Sequence, residues 1–396
     1  MKTYLAKVDK ERVNRYIRLL LFPVYLLSKL MPRSKNIIVF GSAHGFYFSD
    51  NSKYLFLEMH ARKTGKKLVW ITKNQDVFEK LTAFNLPVAK SLSPAGIWYQ
   101  LRAAVCVYAY RLTDFEPLLL GRAKKFCLFH GIPLKLLGPE LDWHGSFKDK
   151  VNQLISKIFP YTYFMHADFI LNPMPDYDPY YKRAFSFSKP EIVHASMPRV
   201  DYLVEDVDES FVLDKPLNDF LEKLKAFDYI ISWLPTHRYQ KGNSLHHHLQ
   251  SILPALQHFS DFLRERNACL ALKPHPIELE QIAAELALPE NVLIPAFSDP
   301  YPLLKRTDLL ISDYSSVVFD YYRKSNKILF YCFDLEDYTR NVGLYEPIES
   351  LFEGVELIRT FADLTAKVNV YMNTPEGCQL KYQTVENKVA DLKIFQ

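Results

Sequence analysis

The sequence predicts an α/β protein of two doubly wound domains in tandem, each built on a mostly parallel sheet. Three observations carry that expectation. Short, continuously apolar runs alternate with helical patterns, as strands do when helices cover both faces of their sheet. The alternation restarts near residue 210, after the acidic patch Glu205-Asp206-Val207-Asp208-Glu209 and the turn-like Asp214-Lys215-Pro216. A chain of 396 residues also exceeds one ordinary core. The expected division is a basic segment over 1–35, a first domain over 36–210 and a second over 211–396.

In the first domain, Asn36-Ile37-Ile38-Val39-Phe40-Gly41 reads as a strand ending at a glycine turn. A helix follows over Ser52 to Lys63, then a strand at Lys67-Leu68-Val69-Trp70-Ile71-Thr72 and a helix over Val77 to Phe84. Ala103 to Ala109 and Lys125 to His130 read as further strands, with Phe169-Ile170-Leu171 as another candidate. The second domain supplies strands at Tyr229 to Leu234, Ala268 to Leu272, Leu309 to Ile311 and Lys327 to Cys332. Helices are expected between them, over His247 to Asn267 and Glu278 to Leu288.

Composition narrows the function. A net charge of +4 over the whole chain does not point to nucleic acid. Twelve glycines beside 25 tyrosines and 28 phenylalanines describe a packed protein. Cys106, Cys127, Cys269, Cys332 and Cys378 are odd in number and lack CxxC spacing, so buried free thiols are expected rather than disulfides or a zinc site.

The first 35 residues hold nine basic side chains (Lys2, Lys7, Lys10, Arg12, Arg15, Arg18, Lys29, Arg33 and Lys35) against Asp9 and Glu11. Between them lies an apolar run interrupted by Arg18, Pro23 and Lys29, which argues against a transmembrane span. No signal-peptide pattern is present. Leucines 19–21, 26, 27 and 30 instead suit a helix lying on an anionic membrane surface, with packing against the protein itself as the alternative.

In open α/β sheets, ligands bind beyond the carboxyl ends of the strands. Those positions are unusually polar here: Gly41-Ser42-Ala43-His44, His130-Gly131, Pro235-Thr236-His237-Arg238, Lys273-Pro274-His275-Pro276 and Ser312-Asp313-Tyr314-Ser315-Ser316. Ser315 and Ser316 at a helix start offer hydroxyls and amides to a phosphate, or simply cap the helix. Lys273 and His275 on a proline-stiffened turn would offset the charge of a diphosphate. Arg238 is a candidate phosphate clasp, or a surface arginine paired with a carboxylate. His130, at a strand tip before a glycine, has the chemistry of a general base. His44, Gly131, Lys135 and Arg199 complete the candidates. Asp176-Tyr177-Asp178 and Asp206-Val207-Asp208 resemble metal-binding DxD strings, but no metal site is expected. His246-His247-His248 cannot present three ligands on one helix face, since adjacent positions diverge by about 100°.

Taken in order, His130-Gly131-Ile132-Pro133-Leu134-Lys135, Met197-Pro198-Arg199-Val200-Asp201, Pro235 to Arg238, Lys273 to Pro276 and Ser312 to Ser316 resemble the CDP-glycerol glycerophosphotransferases. That family includes the teichoic-acid primases and polymerases. Phe330 to Tyr338, Phe22 to Leu30 and Phe48 to Tyr54 extend the likeness over nearly the whole chain. Two positions depart from the pattern, Ile132 where threonine is usual and His237 where an aromatic residue is common.

The resemblance implies a GT-B fold, two Rossmann-like domains facing a cleft, with no cofactor and no required metal. It implies a CDP-glycerol or CDP-ribitol donor and release of CMP. The acceptor would be a lipid-linked saccharide or a growing polyol-phosphate polymer, at the cytoplasmic face of the cell membrane, in teichoic-acid or capsule biosynthesis. By motif, His130 would be the acceptor-side base and His275 would sit on the donor diphosphate. Ser315, Ser316, Arg238 and Lys273 would lie beside it, and Asp313 would orient its loop. A nucleotide-sugar glycosyltransferase and a non-catalytic membrane-docked scaffold are the alternatives.

Overall fold

In the computed structural model of the protein, residues 19–109, 111–137, 166–186, 188–207, 215–238, 245–295 and 299–395 are described, with positions 150, 151, 154, 155, 158, 159 and 161. The chain forms two units. The first ends at His130, resumes over Leu137–Asp201 and takes in the C-terminal stretch from Thr384; the second comprises Gly131–Leu136 and Tyr202–Gln383. The break thus falls before the acidic patch rather than after it, and two short stretches change sides. Hydrophobic periodicity reports the type of an element, not the sheet it joins, so neither crossing has a signal in the sequence.

The first unit is a seven-stranded sheet, ordered β3-β2-β1-β4-β5-β6-β7. Its strands are β1 (Ile37–Gly41), β2 (Lys67–Thr72), β3 (Val88–Lys90), β4 (Val105–Tyr108), β5 (Lys124–Cys127), β6 (Phe169–Leu171) and β7 (Glu191–Val193). All pairings are parallel. The second unit repeats the plan with six strands, ordered β10-β9-β8-β11-β12-β14. These are β8 (Tyr229–Trp233), β9 (Ala268–Leu272), β10 (Val292–Leu293), β11 (Leu309–Ser312), β12 (Ile328–Tyr331) and β14 (Leu357–Ile358), again all parallel. β13 (Phe352–Glu353) and β15 (Gln379–Leu380) form a small antiparallel pair.

In both sheets the chain runs outward from one strand and then restarts on its other side. That puts the topological switch between β1 and β4 and between β8 and β11, where such folds bind ligands. The central strands are buried because helices cover both faces, and Ile231, Trp233, Phe259, Leu270, Ile311 and Tyr331 share one core. Apart from β6, the strands of two or three residues, β3, β7, β10, β13, β14 and β15, were not expected, being too short to show a period. The helix expected over 247–267 is two, Leu245–Ser251 and Leu253–Arg264, with Pro254 in the first turn of the second, where its missing N–H costs nothing. All five cysteines are free and buried, as expected.

Helix Phe22–Leu30 is docked on the first unit by one face only. Phe22 meets Phe159 edge to face at 4.9 Å, Tyr25 lies 4.5 Å from Tyr161, and Ser28 Oγ accepts from the Gly121 amide at 3.2 Å. A Cβ on Gly121 would stand 2.3 Å from that oxygen, so this approach requires glycine. The opposite face leaves Leu26, Leu27 and Leu30 exposed at 46%, 63% and 75%. No helix among the described residues is long and apolar enough to cross a membrane. The part of the basic segment up to residue 18 lies outside the described residues.

Candidate functional site

The carboxyl ends of β8, β11 and β12 are tied together by one buried arginine. Arg238 Nη1 donates to Asp313 Oδ2 at 2.5 Å, and its Nε and Nη2 form a fork on Asp334 at 3.0 and 2.9 Å. It also donates to the Thr236 carbonyl. Burial alone would lower the Arg238 pKa, but the charge of Asp313 and the hydrogen bonds and charge of Asp334 outweigh it and raise it. Asp313 accepts from the Thr236 and Tyr314 amides as well, at 2.9 and 2.7 Å. The guanidinium, expected on a ligand diphosphate, is therefore engaged by two carboxylates, and the trio carries a formal charge of about −1. Thr236 Oγ1, at the same switch point, is buried with no hydrogen-bond partner among the described residues.

Positive charge reaches the site from elsewhere. Lys273 follows β9 and is 8% exposed. Burial lowers its pKa to about 8, against the opposing charge of Asp299. Lys135 arrives on the strap 131–136, where Leu134 O accepts from Tyr345 N at 2.9 Å and Lys135 forms an antiparallel bridge with Leu344. Gly343, at φ +75°, leaves the room that Leu136 needs: a Cβ there would stand 3.0 Å from Leu136 Cδ1. Lys135 Nζ lies 5.5 Å from the Tyr338 ring, which stacks on Tyr314 at 3.8 Å. Burial lowers the Lys135 pKa to about 8, with Asp313 opposing and Arg238 adding to the shift.

His275 is the point where these charges meet. Its ring stacks on His237 at 4.8 Å, and His237 Nδ1 lies 3.0 Å from the buried Glu278 Oε2. Glu278 Oε1 accepts from the Leu245 amide, which fixes the pair. His275 is exposed to solvent, with its ring stacked on His237 on one side. Desolvation first, then His237, lowers its pKa to about 4; Lys273 and Lys135 add to this and Glu278 opposes. Solvent on the open side works against part of that shift. The serines sit where β11 gives way to helix Val317–Tyr322: Ser315 Oγ accepts from Val317 N at 3.4 Å, and Ser316 is the N-cap with no side-chain cap bond. That helix has only six residues, so its dipole is weak.

In the first unit, His130 follows β5 between two residues in left-handed backbone, Phe129 at φ +56° and Gly131 at φ +136°. Arg199 is held by Asp50 at 2.7 Å. His44, itself at φ +59°, lies in the turn Ala43–Gly45 after β1; its amide donates to Asp114 Oδ1 at 2.6 Å and its Nδ1 lies 2.7 Å from Thr113 Oγ1. These three belong to the first unit, whereas Gly131 and Lys135 belong to the second.

Among the described residues no three His, Cys, Asp or Glu side chains are grouped to hold a metal. Asp178 of the first DxD string accepts from Asn172 and contacts His194 at 2.9 Å. Asp208 of the second lies outside the described residues. The three consecutive histidines diverge, His246 toward Glu285 and His248 toward the Tyr331 hydroxyl, each at 3.0 or 2.9 Å. Sequence reasoning missed Asp334, Glu278 and Asn51. Asp334 was within reach, since it follows β12 and the strand-end rule applies to it equally.

A family model described as "CDP-Glycerol:Poly(glycerophosphate) glycerophosphotransferase" matches residues 24–393. A teichoic acid ribitol-phosphate polymerase of Staphylococcus aureus is 30% identical over 46% of this chain and 32% of its own. A second such polymerase of that organism is matched over 35% of its length, so the chain spans about a third of these two relatives. A teichoic acid glycerol-phosphate transferase of Staphylococcus aureus is 22% identical over 98% of both chains. A teichoic acid poly(glycerol phosphate) polymerase of Bacillus spizizenii is 26% identical over 84% of this chain and 82% of its own. Among solved structures, the wall teichoic acid polymerase TagF superposes with a TM-score of 0.67 at 20% identity, over 93% of this chain and 90% of that one. This last likeness concerns the fold, and the expected GT-B class, two Rossmann-like parallel sheets, is the one found.

Proposed function

This chain belongs to the CDP-glycerol:poly(glycerophosphate) glycerophosphotransferase family, and from that premise we propose that it moves a polyol phosphate, glycerol phosphate first, from a CDP-activated donor to an alcohol. The acceptor in this reading is a lipid-linked saccharide or a growing polyol-phosphate polymer of teichoic-acid or capsule type. The observation that carries it is the stacking of His275 on His237 at 4.8 Å beyond the strand ends of the second unit, where Lys273 and Lys135 are close enough to help lower its pKa. Such a site suits a diphosphate flanked by two neutral–polar rims, the Ser315 and Ser316 hydroxyls and the buried Thr236 hydroxyl.

In the proposed step, an acceptor hydroxyl gives its proton to His130 and its oxygen attacks the donor phosphorus that bears the polyol. The bond from that phosphorus to the bridging oxygen breaks in line, and CMP leaves with the bridging oxygen and its charge. Lys273 and Lys135 offset that charge, and His275, neutral near pH 7, donates a hydrogen bond to it. Arg238 and Asp313 do not touch the donor in this reading. They brace the loops that do.

The exposed leucines of helix 22–30, continuous with the basic N-terminal segment, support peripheral attachment to the anionic inner face of the cell membrane. The deciding experiment offers CDP-glycerol, CDP-ribitol and UDP-sugars in turn with a lipid-linked acceptor, reading CMP or UDP release and product mass. CMP release with a polyol-phosphate mass increment is expected. Turnover of a nucleotide sugar alone would replace this reading with a glycosyltransferase.

A further inference from the structure

The backbone around His130 is costly and needs a cause. A glycine adopts a left-handed conformation freely, as Gly131 does at φ +136°, but Phe129 at φ +56° is an outlier for a bulky side chain. Its side chain cannot be dispensed with. Phe129 is 4% exposed, and its ring lies 4.3 Å from that of His130, 6.0 Å from Tyr181 and 5.8 Å from Phe185. A phenylalanine is thus kept where the backbone favours glycine, and strain of this kind persists only when its surroundings over-determine it.

Asn51 supplies the constraint. It is fully buried at the start of helix Asp50–Ala61, and its Nδ2 donates to the Phe129 carbonyl at 2.8 Å. Its Oδ1 accepts from the Arg199 amide at 3.3 Å. Asp50, itself at φ +64°, accepts from Asn51 N at 2.7 Å and from Arg199 Nη1 at 2.7 Å. The carboxamide is therefore held at its oxygen by the Arg199 amide, while Asp50 ties the Asn51 backbone and the Arg199 side chain. Its nitrogen holds the carbonyl of the peptide that joins Phe129 to His130. Fixing that oxygen fixes the peptide plane, and with it the direction in which His130 leaves the chain.

We propose that Asn51 is a positioning residue for His130: its carboxamide locks the left-handed Phe129 peptide and so aims the imidazole at the acceptor hydroxyl. This rests on the reading of His130 as the base. Released from the clamp, the peptide relaxes toward ordinary backbone and the ring moves by about 1 Å or more, a misplacement that costs roughly 10²-fold in rate.

The test compares the full-length wild type with Asn51→Ala, Asn51→Asp and His130→Ala, measuring kcat, donor KM and folded fraction by circular dichroism. Asn51→Asp keeps the side chain's size and its acceptor toward Arg199 but loses the donor to Phe129. The expected result is a fall in kcat per folded enzyme of about 10- to 100-fold in both Asn51 variants, with donor KM within about twofold of wild type. The base limb of the pH–kcat profile should shift in them too, which a merely structural defect would not produce. Normal kcat in both, with His130→Ala inactive, overturns the inference and leaves the base reading standing. A loss that only follows the unfolded fraction overturns it as well. If His130→Ala turns over normally, the base reading itself fails, and the positioning role falls with it.

Discussion

Arg238 and Asp313 are buried against one another, 3% and 1% exposed at the side chain, with 2.5 Å between Nη1 and Oδ2. An arginine at a strand end of a phosphate-binding fold would ordinarily be read as a ligand contact. Here its hydrogen bonds go to the protein: Asp313, both oxygens of Asp334 and the Thr236 carbonyl. Three loops after β8, β11 and β12 are held in register by one guanidinium, inside a box of Tyr314, Phe333 and Tyr338 rings.

Removing Arg238 should leave two buried carboxylates without their cation, so Arg238→Met is expected to lose about 3–5 kcal/mol of stability. Asp313→Asn leaves Arg238 paired with Asp334 and should lose less, about 1–3 kcal/mol, through the weakened hydrogen bonds. Because both break the same network, the double variant should lose clearly less than the sum. Urea unfolding of the four proteins measures this. A stable Arg238→Met protein that has lost only donor affinity would restore the guanidinium to the donor.

If the donor diphosphate sits beside Lys135 and Lys273 as proposed, its binding should be pH-dependent. Each lysine has its pKa lowered to about 8 in the folded protein, so each turns neutral above that pH, whereas a bound diphosphate favours the charged form. Donor binding should therefore take up protons at pH values above about 8, and affinity should fall as pH rises further. Calorimetric titration with CDP-glycerol in buffers of different ionisation enthalpy reads both effects. Lys273→Arg, which stays charged, should flatten the dependence.

The position of the candidate residues at strand ends was legible in the sequence. An apolar run followed by polar residues marks a strand end, and that rule picks out Arg238, Lys273, His275 and Asp313 after strands of the second unit and His130 after a strand of the first. What it could not supply was pairing. The partner of Arg238 is Asp334, 96 residues later, so the sequence displays a cation and hides its neutralisation. The Asn51 clamp on Phe129 spans 78 residues and is hidden in the same way. The strap 131–136 reads as a loop after β5, and only its pairing with 344–345 shows that Lys135 belongs to the second unit. Boundaries of sheet strands came out well because they are set by local apolar runs. The domain break did not, because composition shifts at a linker while the packing of 384–396 is decided at long range.

His248 should lower stability in acid. Its Nε2 lies 2.9 Å from the Tyr331 hydroxyl and its ring stacks on Phe333 at 3.6 Å. Desolvation, then the charge of Arg238, lowers its pKa from 6.5 to about 4, against Asp334. Between those values the unfolded chain binds the extra proton and the folded one does not, so stability is lost as pH falls from 6.5 toward 4. The loss attributable to His248 is about 1–3 kcal/mol, allowing for its partial exposure. His248→Phe keeps the stacking and removes the titration, so its difference in stability between about pH 7 and pH 5 should be smaller than in wild type. Equal differences would show that His248 protonates without cost.

The outward face of helix 22–30 gives the last prediction. Its inward face is fixed to the first unit by Phe22, Tyr25 and Ser28, so the helix is anchored whether or not a membrane is present. Leu26, Leu27 and Leu30 remain exposed at 46%, 63% and 75%. Burying a leucine side chain is worth about 1.5–3 kcal/mol, and partial insertion into a headgroup layer would recover part of that for each. Replacing all three by glutamine should therefore reduce partitioning onto anionic vesicles by at least about tenfold without lowering the melting temperature, since none of the three supports the docked face. Sedimentation with phosphatidylglycerol vesicles measures the first and a thermal melt the second. Salt separates the two contributions: the basic residues should lose their part as ionic strength rises, while the leucines keep theirs. Unchanged vesicle binding in the triple variant would mean that charge alone holds the protein at the surface.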